Sequence, residues 1–448
     1  MLTPTQLYPL LERLLQSTRL LSHATARRPV ARLLATLLVA QDLRPSALIR
    51  ILSAPSARAA RQRFGSVRRT LHRPGLTSGA LCPFLIRAAL AWVEQAGRAP
   101  AAGAPWLLAL DSVRCGPWEV FTVGLVVAGR ALPLAWAVLP YPWPRGRFRP
   151  TVDALGARLL RSWPPEIRAC LLGDRAFPAK SFFRMLAAAG AEWTVRLQAR
   201  HAVTLAADET CHRVGLLLDA ADPYRVTIQP ATFGAGADAV AGFLVIAGRE
   251  LVVVPPHQRG PASLAARARK GARRLKHQEH KRAGTSQGVS RDEWLVLFTT
   301  SPDPLVALAQ YGERWAIEGT YRDAQGGWDG QHGWHLDRVL PGCGTADEVD
   351  ALTGFWALGV LVQIGLGLGL SASTTPVAVQ HARFGWATTD RLSWWWRGRC
   401  ALESPDPLIR QWIPRYLTMI ATQLEQAPAA IIPFERPAAA CTPKSNAA

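Results

Sequence analysis

The sequence is short of acidic residues and has no closely spaced pair of cysteines. Asp and Glu total 32 against 52 Lys and Arg, which gives a formal net charge of +20 at pH 7. The 7 cysteines are scattered singly, so neither a disulfide framework nor a zinc knuckle is predicted, and a reducing cytoplasm fits best. The positive charge indicates a polyanionic partner, either nucleic acid or an anionic membrane surface.

Several short motifs that define enzyme classes are also missing. The chain contains no Walker-type phosphate loop, no dinucleotide-binding fingerprint and no Ser-His-Asp signature. The segment at residues 1–21 carries Glu12 and Arg13 inside its apolar pattern, so it predicts an amphipathic helix and not a signal peptide.

One segment resembles a membrane span. Residues 351–382 contain no Asp, Glu, Lys or Arg, and the apolar stretch is long enough to cross a bilayer. Its many glycines and the central Gln363 favour a buried helix of a water-soluble fold, so no membrane partner is expected. The alternative is a basic protein attached to a membrane through residues 351–370.

The chain is long enough for several folded units. Residues 1–100 show helical periodicity, and residues 27–73 hold eleven arginines and one acid, Asp42. This composition predicts a helical, basic DNA-binding domain with a recognition helix within residues 56–73. A solvated basic face explains the same charge equally well.

The remainder predicts an α/β fold, with a mixed sheet flanked by helices and interrupted by a mostly β insertion. Residues 101–200 form the first part of the sheet, in the order strand, strand, strand, helix, strand, helix, strand. Residues 201–290 are the insertion, residues 291–345 complete the core with a helix over 306–325, and residues 346–448 form a C-terminal helical region with a disordered tail. The insertion ends in a basic run that either follows a nucleic-acid backbone or is a solvated loop; its cations include Arg267, Arg269, Lys270, Arg273 and Arg274.

Three acids are candidates for chemistry. Asp111 follows the apolar run "WLLAL" and Asp174 follows "ACLLG", so each is predicted to end a buried strand, where a carboxylate needs a partner, a metal or a turn. Glu318 lies on the predicted helix. Taken singly, the two aspartates are explained as turn or cap residues.

Helix geometry places polar side chains around Glu318 on one stripe, about 100° wide. Its members are Tyr311, Arg314, Glu318, Tyr321, Arg322 and Gln325. A row of i,i+4 ion pairs would explain the stripe alone. Together with the two strand-end acids, however, it suits a site for phosphoryl transfer with two Mg²⁺ ions about 4 Å apart, held by carboxylates from several elements.

These residues resemble the bacterial DDE insertion-sequence transposases with the signature Y-x2-R-x3-E-x6-K, the IS-four family. Tyr311, Arg314 and Glu318 match the signature in register, and "ExxYRD" continues the match. Upstream, "LALDS" and "LLGDRAF" look like the family's two aspartate regions, so the resemblance spans roughly residues 104–370. The final Lys of the signature is Gln325 here, a neutral amide where the family places a charge near DNA phosphates.

The resemblance implies an RNase H-like core in which Asp111 bridges two Mg²⁺ ions, with Mn²⁺ able to substitute, while Asp174 and Glu318 complete one site each. It implies cleavage of double-stranded DNA at transposon ends and transfer of the freed 3′-hydroxyl to target DNA, by a homodimer at the cytoplasmic nucleoid. The polar stripe would position the DNA end, with Trp193 or Trp315 stacking on an unpaired base. Alternatives are a catalytically silent DNA-binding relative and another RNase H-like nuclease.

Two further groups are explained without a functional role. The pairs His277 with His280 and His332 with His335 have a spacing that suits a metal, but surface histidines are the simpler interpretation. The triplet at residues 394–396 is predicted to be core or an oligomer contact, not a platform for bases.

Overall fold

The computed structural model describes most of the chain. The described residues are 2–17, 21, 23–52, 57–127, 129–219, 221, 225–234, 236–248, 294–325, 333–372, 378–381, 385–388, 394–404 and 406–426. The predicted basic run at 267–274, His277, His280, His332 and the predicted tail lie outside them.

Helices make up the N-terminal region. They are α1 (Pro4–Ser17), α2 (Ala24–Ala40), α3 (Pro45–Ile51), α4 (Ala57–Leu71) and α5 (Ser78–Gln95). The buried residues of α1 are leucines at helical spacing. Most apolar residues of α2 and α5 are buried as well. In contrast, α4 presents exposed arginines, which are Arg58, Arg61, Arg68 and Arg69.

The sheet begins with an antiparallel meander of β1 (Trp106–Cys115), β2 (Trp118–Val127) and β3 (Arg130–Pro140). Helix α6 (Phe148–Ser162), strand β4 (Ala169–Gly173), helix α7 (Lys180–Ala188) and strand β5 (Glu192–Arg196) follow, with β4 parallel to β1 and β5 parallel to β4. This is the order of strands and helices that the sequence predicts. The predicted mixed sheet flanked by helices is confirmed.

The strands of the insertion extend the same sheet. They are β6 (Ala202–Leu205), β7 (Cys211–Arg213), β8 (Thr227–Phe233) and β9 (Val240–Gly248), with a short helix α8 (Val214–Asp219). Strand β10 (Trp294–Thr299) lies between β5 and β9 and is antiparallel to both. Within the described residues, the sheet therefore has ten strands in the order β3-β2-β1-β4-β5-β10-β9-β8-β6-β7.

Two helices follow β10 where the sequence predicts one. Helix α9 (Pro304–Glu313) is capped by Asp303, and α10 (Trp315–Ala324) follows directly. They meet at Arg314, where backbone N–H groups bond to carbonyls three residues back, from Arg314 to Tyr311 and from Ile317 to Arg314. The prediction of a single helix over 306–325 is corrected to two helices joined by a tightened turn.

The C-terminal region contains α11 (Leu336–Val339), α12 (Ala346–Ala372), a hairpin of β11 (Ala378–His381) and β12 (Gly385–Thr388), α13 (Trp394–Glu403) and α14 (Pro407–Gln426). Buried apolar residues from the N-terminal helices, the sheet and these C-terminal helices form one continuous core. Trp395 is part of that core, which is one of the two roles that the sequence predicts for the triplet.

Helix α12 is long and apolar enough to cross a membrane, yet its apolar window is 100% buried inside the protein. Its glycines allow large rings to approach the helix backbone. A Cβ atom on Gly359 would lie 2.2 Å from the ring of Trp334, and one on Gly365 would lie 2.2 Å from the ring of Trp92. The glycine-rich texture of this segment is thus a packing requirement of a buried helix.

Gly365→Ala tests this packing. We expect the free energy of unfolding to fall by about 1–3 kcal/mol, because the added methyl group must displace the buried Trp92 ring. The control is Gly79→Ala on α5, where a Cβ meets nothing within 4 Å and alanine favours the helix by up to about 1 kcal/mol. Urea unfolding measures both; equal effects at the two positions would contradict the close packing.

Candidate active site

Asp111 and Asp174 lie side by side on neighbouring strands. The parallel pairing of β1 with β4 ends at Leu110 and Gly173, and each acid is the next residue. Strand β1 continues to Cys115 because it stays paired with β2, where Asp111 lies opposite Thr122. The prediction that Asp111 ends its strand is therefore wrong, but the acid does occupy the point where β1 leaves β4.

Buried contacts fix helices α9 and α10 over the point where β1 leaves β4. The Ala307 and Tyr311 face of α9 packs in a small apolar cluster on β9 and β10. On α10, the Thr320 hydroxyl bonds to both the N–H and the carbonyl of Ala131, at 2.9 and 3.0 Å. The Tyr321 hydroxyl donates to the backbone carbonyl of Asp111 at 2.9 Å. These bonds hold the helices over the two aspartates.

Arg314 joins two of the three acids. Its guanidinium donates through Nη1 to Asp111 Oδ2 and through Nη2 to Glu318 Oε1, each at 2.8 Å. The third acid is bonded from the same helix pair, since the Tyr311 hydroxyl donates to Asp174 Oδ1 at 3.3 Å. Arg314 is only 3% exposed. The structure thus brings Asp111, Asp174, Glu318, Tyr311 and Arg314 into one connected cluster.

Burial and neighbouring charges shift the pKa values of several groups in this cluster. Burial raises the pKa of Asp111; Arg314 opposes the rise and Asp174 adds to it. Burial likewise raises the pKa of Glu318, against the effect of Arg314 and with that of the two aspartates. Burial also raises the pKa of Tyr311 to about 12. Burial tends to lower the pKa of Arg314, but the surrounding acidic groups outweigh this and hold it charged.

The donor set suits Mg²⁺, which binds carboxylate oxygens. No choice of one oxygen from each of Asp111, Asp174 and Glu318 brings all three within 4.8 Å of one another. A bound cation would also relieve the burial penalty on the acids.

A second buried ion pair supports α10 from the opposite side. Arg130 Nε donates to Asp323 Oδ2 at 2.6 Å, and both side chains are almost fully buried. Burial raises the pKa of Asp323 and the Arg130 guanidinium opposes that rise. The pair ties the last turn of α10 to the start of β3, which helps to fix the direction in which Glu318 points.

The other residues of the predicted stripe differ in accessibility. Tyr321, like Tyr311 and Arg314, is buried, so its polar atom acts inside the cluster. Arg322 and Gln325 are partly exposed. Gln325 lies just beyond α10, and its carbonyl accepts a hydrogen bond from the N–H of His335 at 2.8 Å.

The structure corrects the roles predicted for Trp193 and His335 and shows which predicted stacking residue is accessible. Trp193 is buried and packs against Phe183 and Phe298, so it offers no face to a nucleic-acid base. Trp315 is 39% exposed and lies with its ring 4.9 Å from the Arg314 guanidinium, so it keeps an open face. His335 is buried, not a surface histidine.

The sequence interpretation missed an aromatic loop beside the acids. Ser112 Oγ donates to Glu119 Oε1 at 2.6 Å, and Trp143 Nε1 donates to Glu119 Oε2 at 2.5 Å. Trp143 stacks on Phe148 at 4.5 Å and remains 40% exposed. The loop sequence "YPWPRGR" also carries the exposed Arg145 and Arg147. In the sequence, a tryptophan flanked by prolines and followed by two arginines could have indicated this loop.

No protein-family model matches the chain, and a search of curated proteins finds no match. Its function is therefore inferred from the geometry of the site and from the resemblance of its motifs.

Asp111→Asn should reduce the pH dependence of stability in the absence of divalent cations. The pKa of Asp111 in the folded protein is raised above 3.8, so the folded state binds more protons than the unfolded state as pH falls toward that value. The wild type therefore gains stability from this group as the pH falls from neutral toward the raised pKa of Asp111, and the variant lacks this gain.

Urea unfolding at pH 4, 5, 6 and 7 with a chelator measures the effect. Asp219→Asn, which removes an exposed acid on α8, is the control and should follow the wild type. If the free energy of unfolding depends on pH in the same way for Asp111→Asn and the wild type, the raised pKa assigned to Asp111 is contradicted.

Proposed function

We propose that this protein is a DNA transposase of the DDE type, which cleaves phosphodiester bonds at the ends of a mobile element and joins those ends to target DNA. The observation that carries the proposal is the cluster in which Asp111, Asp174 and Glu318, which are far apart in the sequence, are connected through Arg314 and Tyr311. The order and types of these residues match the signature that the sequence resembles.

The sheet topology supports the same class. An antiparallel meander followed by two strands parallel to β1, with Glu318 on a helix packed against β1, agrees with the RNase H-like core that the resemblance implies. The insertion between the second aspartate and the glutamate adds strands beyond β10, on the side of the sheet away from β1 and β2.

Asp111, Asp174 and Glu318 would hold the divalent ions. Two Mg²⁺ ions held there, for which Mn²⁺ can substitute, would stabilise the attacking and leaving oxygens of a phosphodiester during in-line displacement. The protein's own contribution is positional: Tyr321 fixes the backbone at Asp111, and Tyr311 orients Asp174. Arg314 keeps the acids from repelling one another before the ions bind.

The charge distribution supports DNA as the partner. With all three acids ionised, the cluster carries −3 from the acids and +1 from Arg314, or about −2, and repels phosphates until cations bind. Cations are found on neighbouring segments: Arg145 and Arg147 are exposed on the aromatic loop, and Arg322 on α10 is partly exposed. The exposed faces of Trp143 and Trp315 suit stacking on an unpaired base. We place the protein at the cytoplasmic nucleoid, as a homodimer when it holds two ends.

A catalytically silent DNA-binding relative is the second candidate. The observation that favours it is the pair of direct bonds from Arg314 to Asp111 and Glu318, which use one oxygen of each carboxylate. In that case Arg314 replaces the ions permanently. In the transposase, Arg314 shares the carboxylates with the ions or moves aside.

Cleavage by acid variants separates the two candidates. The substrate is a plasmid that carries the gene with its native flanking DNA, incubated with Mg²⁺ or Mn²⁺. We expect the wild type to release the element and Asp111→Ala, Asp174→Ala and Glu318→Ala each to lose more than the roughly 10–100-fold that removal of an outer-shell partner costs. Asp219→Ala, outside the cluster, should cleave normally.

Release of the element in Ca²⁺ alone, or equal cleavage by all three acid variants and the wild type, would contradict the assignment of the site. An inactive wild type that still binds the flanking DNA would favour the silent relative.

Gln325→Lys should raise affinity for the element's ends if this position faces a phosphate. One added phosphate contact steepens the dependence of log K on log salt concentration by about 0.9. Gln16→Lys, at an exposed position on α1, adds the same charge elsewhere and serves as the control. Binding titrations at several salt concentrations measure both variants; an unchanged slope for Gln325→Lys would rule out the contact.

A further inference from the structure

A second cluster of potential metal ligands lies away from the acidic site. His72 directly follows α4, Cys343 follows the turn after α11, and Glu348 is in the first turn of α12. One nitrogen of His72, the Cys343 sulfur and one oxygen of Glu348 all lie within 4.8 Å of one another. Residues 271 positions apart in sequence are thus brought to one point.

The histidine of this cluster has an unsatisfied ring atom. His72 Nδ1 is enclosed and has no hydrogen-bond partner within the described part of the chain. A buried polar nitrogen without a partner is costly, by about 1–3 kcal/mol, and few such atoms persist in folded proteins. An ion bound at the cluster supplies a partner for the imidazole.

The other two ligands are held in place by the backbone around them. Glu348 Oε2 accepts a hydrogen bond from the N–H of Gly344 at 2.7 Å. The carbonyl of Cys343 accepts one from Trp118 Nε1 on β2 at 3.3 Å. The cysteine is buried, while His72 and Glu348 are half-buried, so an ion can reach the cluster from solvent. The ligand positions are therefore largely set before any ion binds.

We propose that His72, Cys343 and Glu348 bind a zinc ion. A thiolate, an imidazole and a carboxylate form a set that a borderline-soft ion such as Zn²⁺ prefers, whereas Mg²⁺ requires oxygen ligands. Three protein ligands leave the fourth tetrahedral position to a water molecule. This site is separate from the three acids and does not depend on the proposed function.

Metal binding at this site releases a proton. Burial raises the pKa of the Cys343 thiol to about 11; Glu348 adds to the rise and Arg68 opposes it. The free thiol is therefore protonated at neutral pH, and Zn²⁺ binding forms the sulfur–zinc bond as the S–H proton leaves to solvent. The ion's positive charge replaces that proton, so Glu348 then favours the thiolate complex.

The structural consequence is a link between α4 and α12. His72 ends the segment that carries the exposed arginines of α4, and the other two ligands precede or begin the buried helix α12. A bound ion adds its binding free energy to the stability of the folded state, because the unfolded chain does not hold the three ligands together. Zinc would thereby fix the basic helix on the core.

Cobalt substitution tests the proposal on the full chain without DNA. After treatment with a chelator, the protein is titrated with Co²⁺, which gives a near-ultraviolet charge-transfer band when bound to a thiolate. We expect a saturable band in the wild type that Zn²⁺ displaces at one equivalent. Cys343→Ser should abolish the band, and Glu348→Gln and His72→Gln should each weaken Co²⁺ binding at least 10-fold. Cys211→Ser, at an exposed cysteine with no such neighbours among the described residues, is the matched control and should retain the band.

A wild type with no saturable band, or a band that persists in Cys343→Ser, overturns the proposal. Far-ultraviolet circular dichroism establishes that each variant is folded. If Cys343→Ser does not fold, the His72→Gln variant decides: wild-type Co²⁺ affinity in that variant overturns the proposal as well.

Discussion

The acidic site depends on one interaction, the bonds that the buried guanidinium of Arg314 makes to two carboxylates. The guanidinium bonds to Asp111 on β1 and Glu318 on α10, at the residue where α9 ends and α10 begins. Burying one of these charges alone costs several kcal/mol, so each requires the others. The same contact explains why the tightened turn falls at this residue, since Arg314 must point inward between two acids from different elements.

The rest of the fold holds these elements in position. Buried bonds from Thr320 and the ion pair of Arg130 with Asp323 fix α10 to β3, while apolar packing fixes α9 to β9 and β10. Strand β9 of the insertion thus takes part in building the site, because β9 and β10 form the surface on which α9 rests. Helix α12, whose apolar window is buried, joins the N-terminal helices to this frame.

Apolar runs were enough to predict the order of strands and helices in the core and placed Asp111 and Asp174 directly after two such runs, whereas Glu318 was singled out by the polar stripe on its predicted helix. The full length of β1 was not predictable, because "SVRC" has a polar pattern and is a strand only through its pairing with β2. The break at Arg314 and the burial of Trp193 and His335 also depend on tertiary contacts. The cluster of His72, Cys343 and Glu348 leaves no local pattern, since its members come from distant segments.

Counting bound ions at the acidic site tests the central claim most directly. Mn²⁺ binding is measured by electron paramagnetic resonance, with the element's flanking DNA present and in the Cys343→Ser background so that the second cluster does not contribute. The account predicts about two Mn²⁺ ions per chain, lost when Asp111 is replaced by Asn. Mn²⁺ binding that is absent, or that is the same with and without the Asp111 carboxylate, would contradict it.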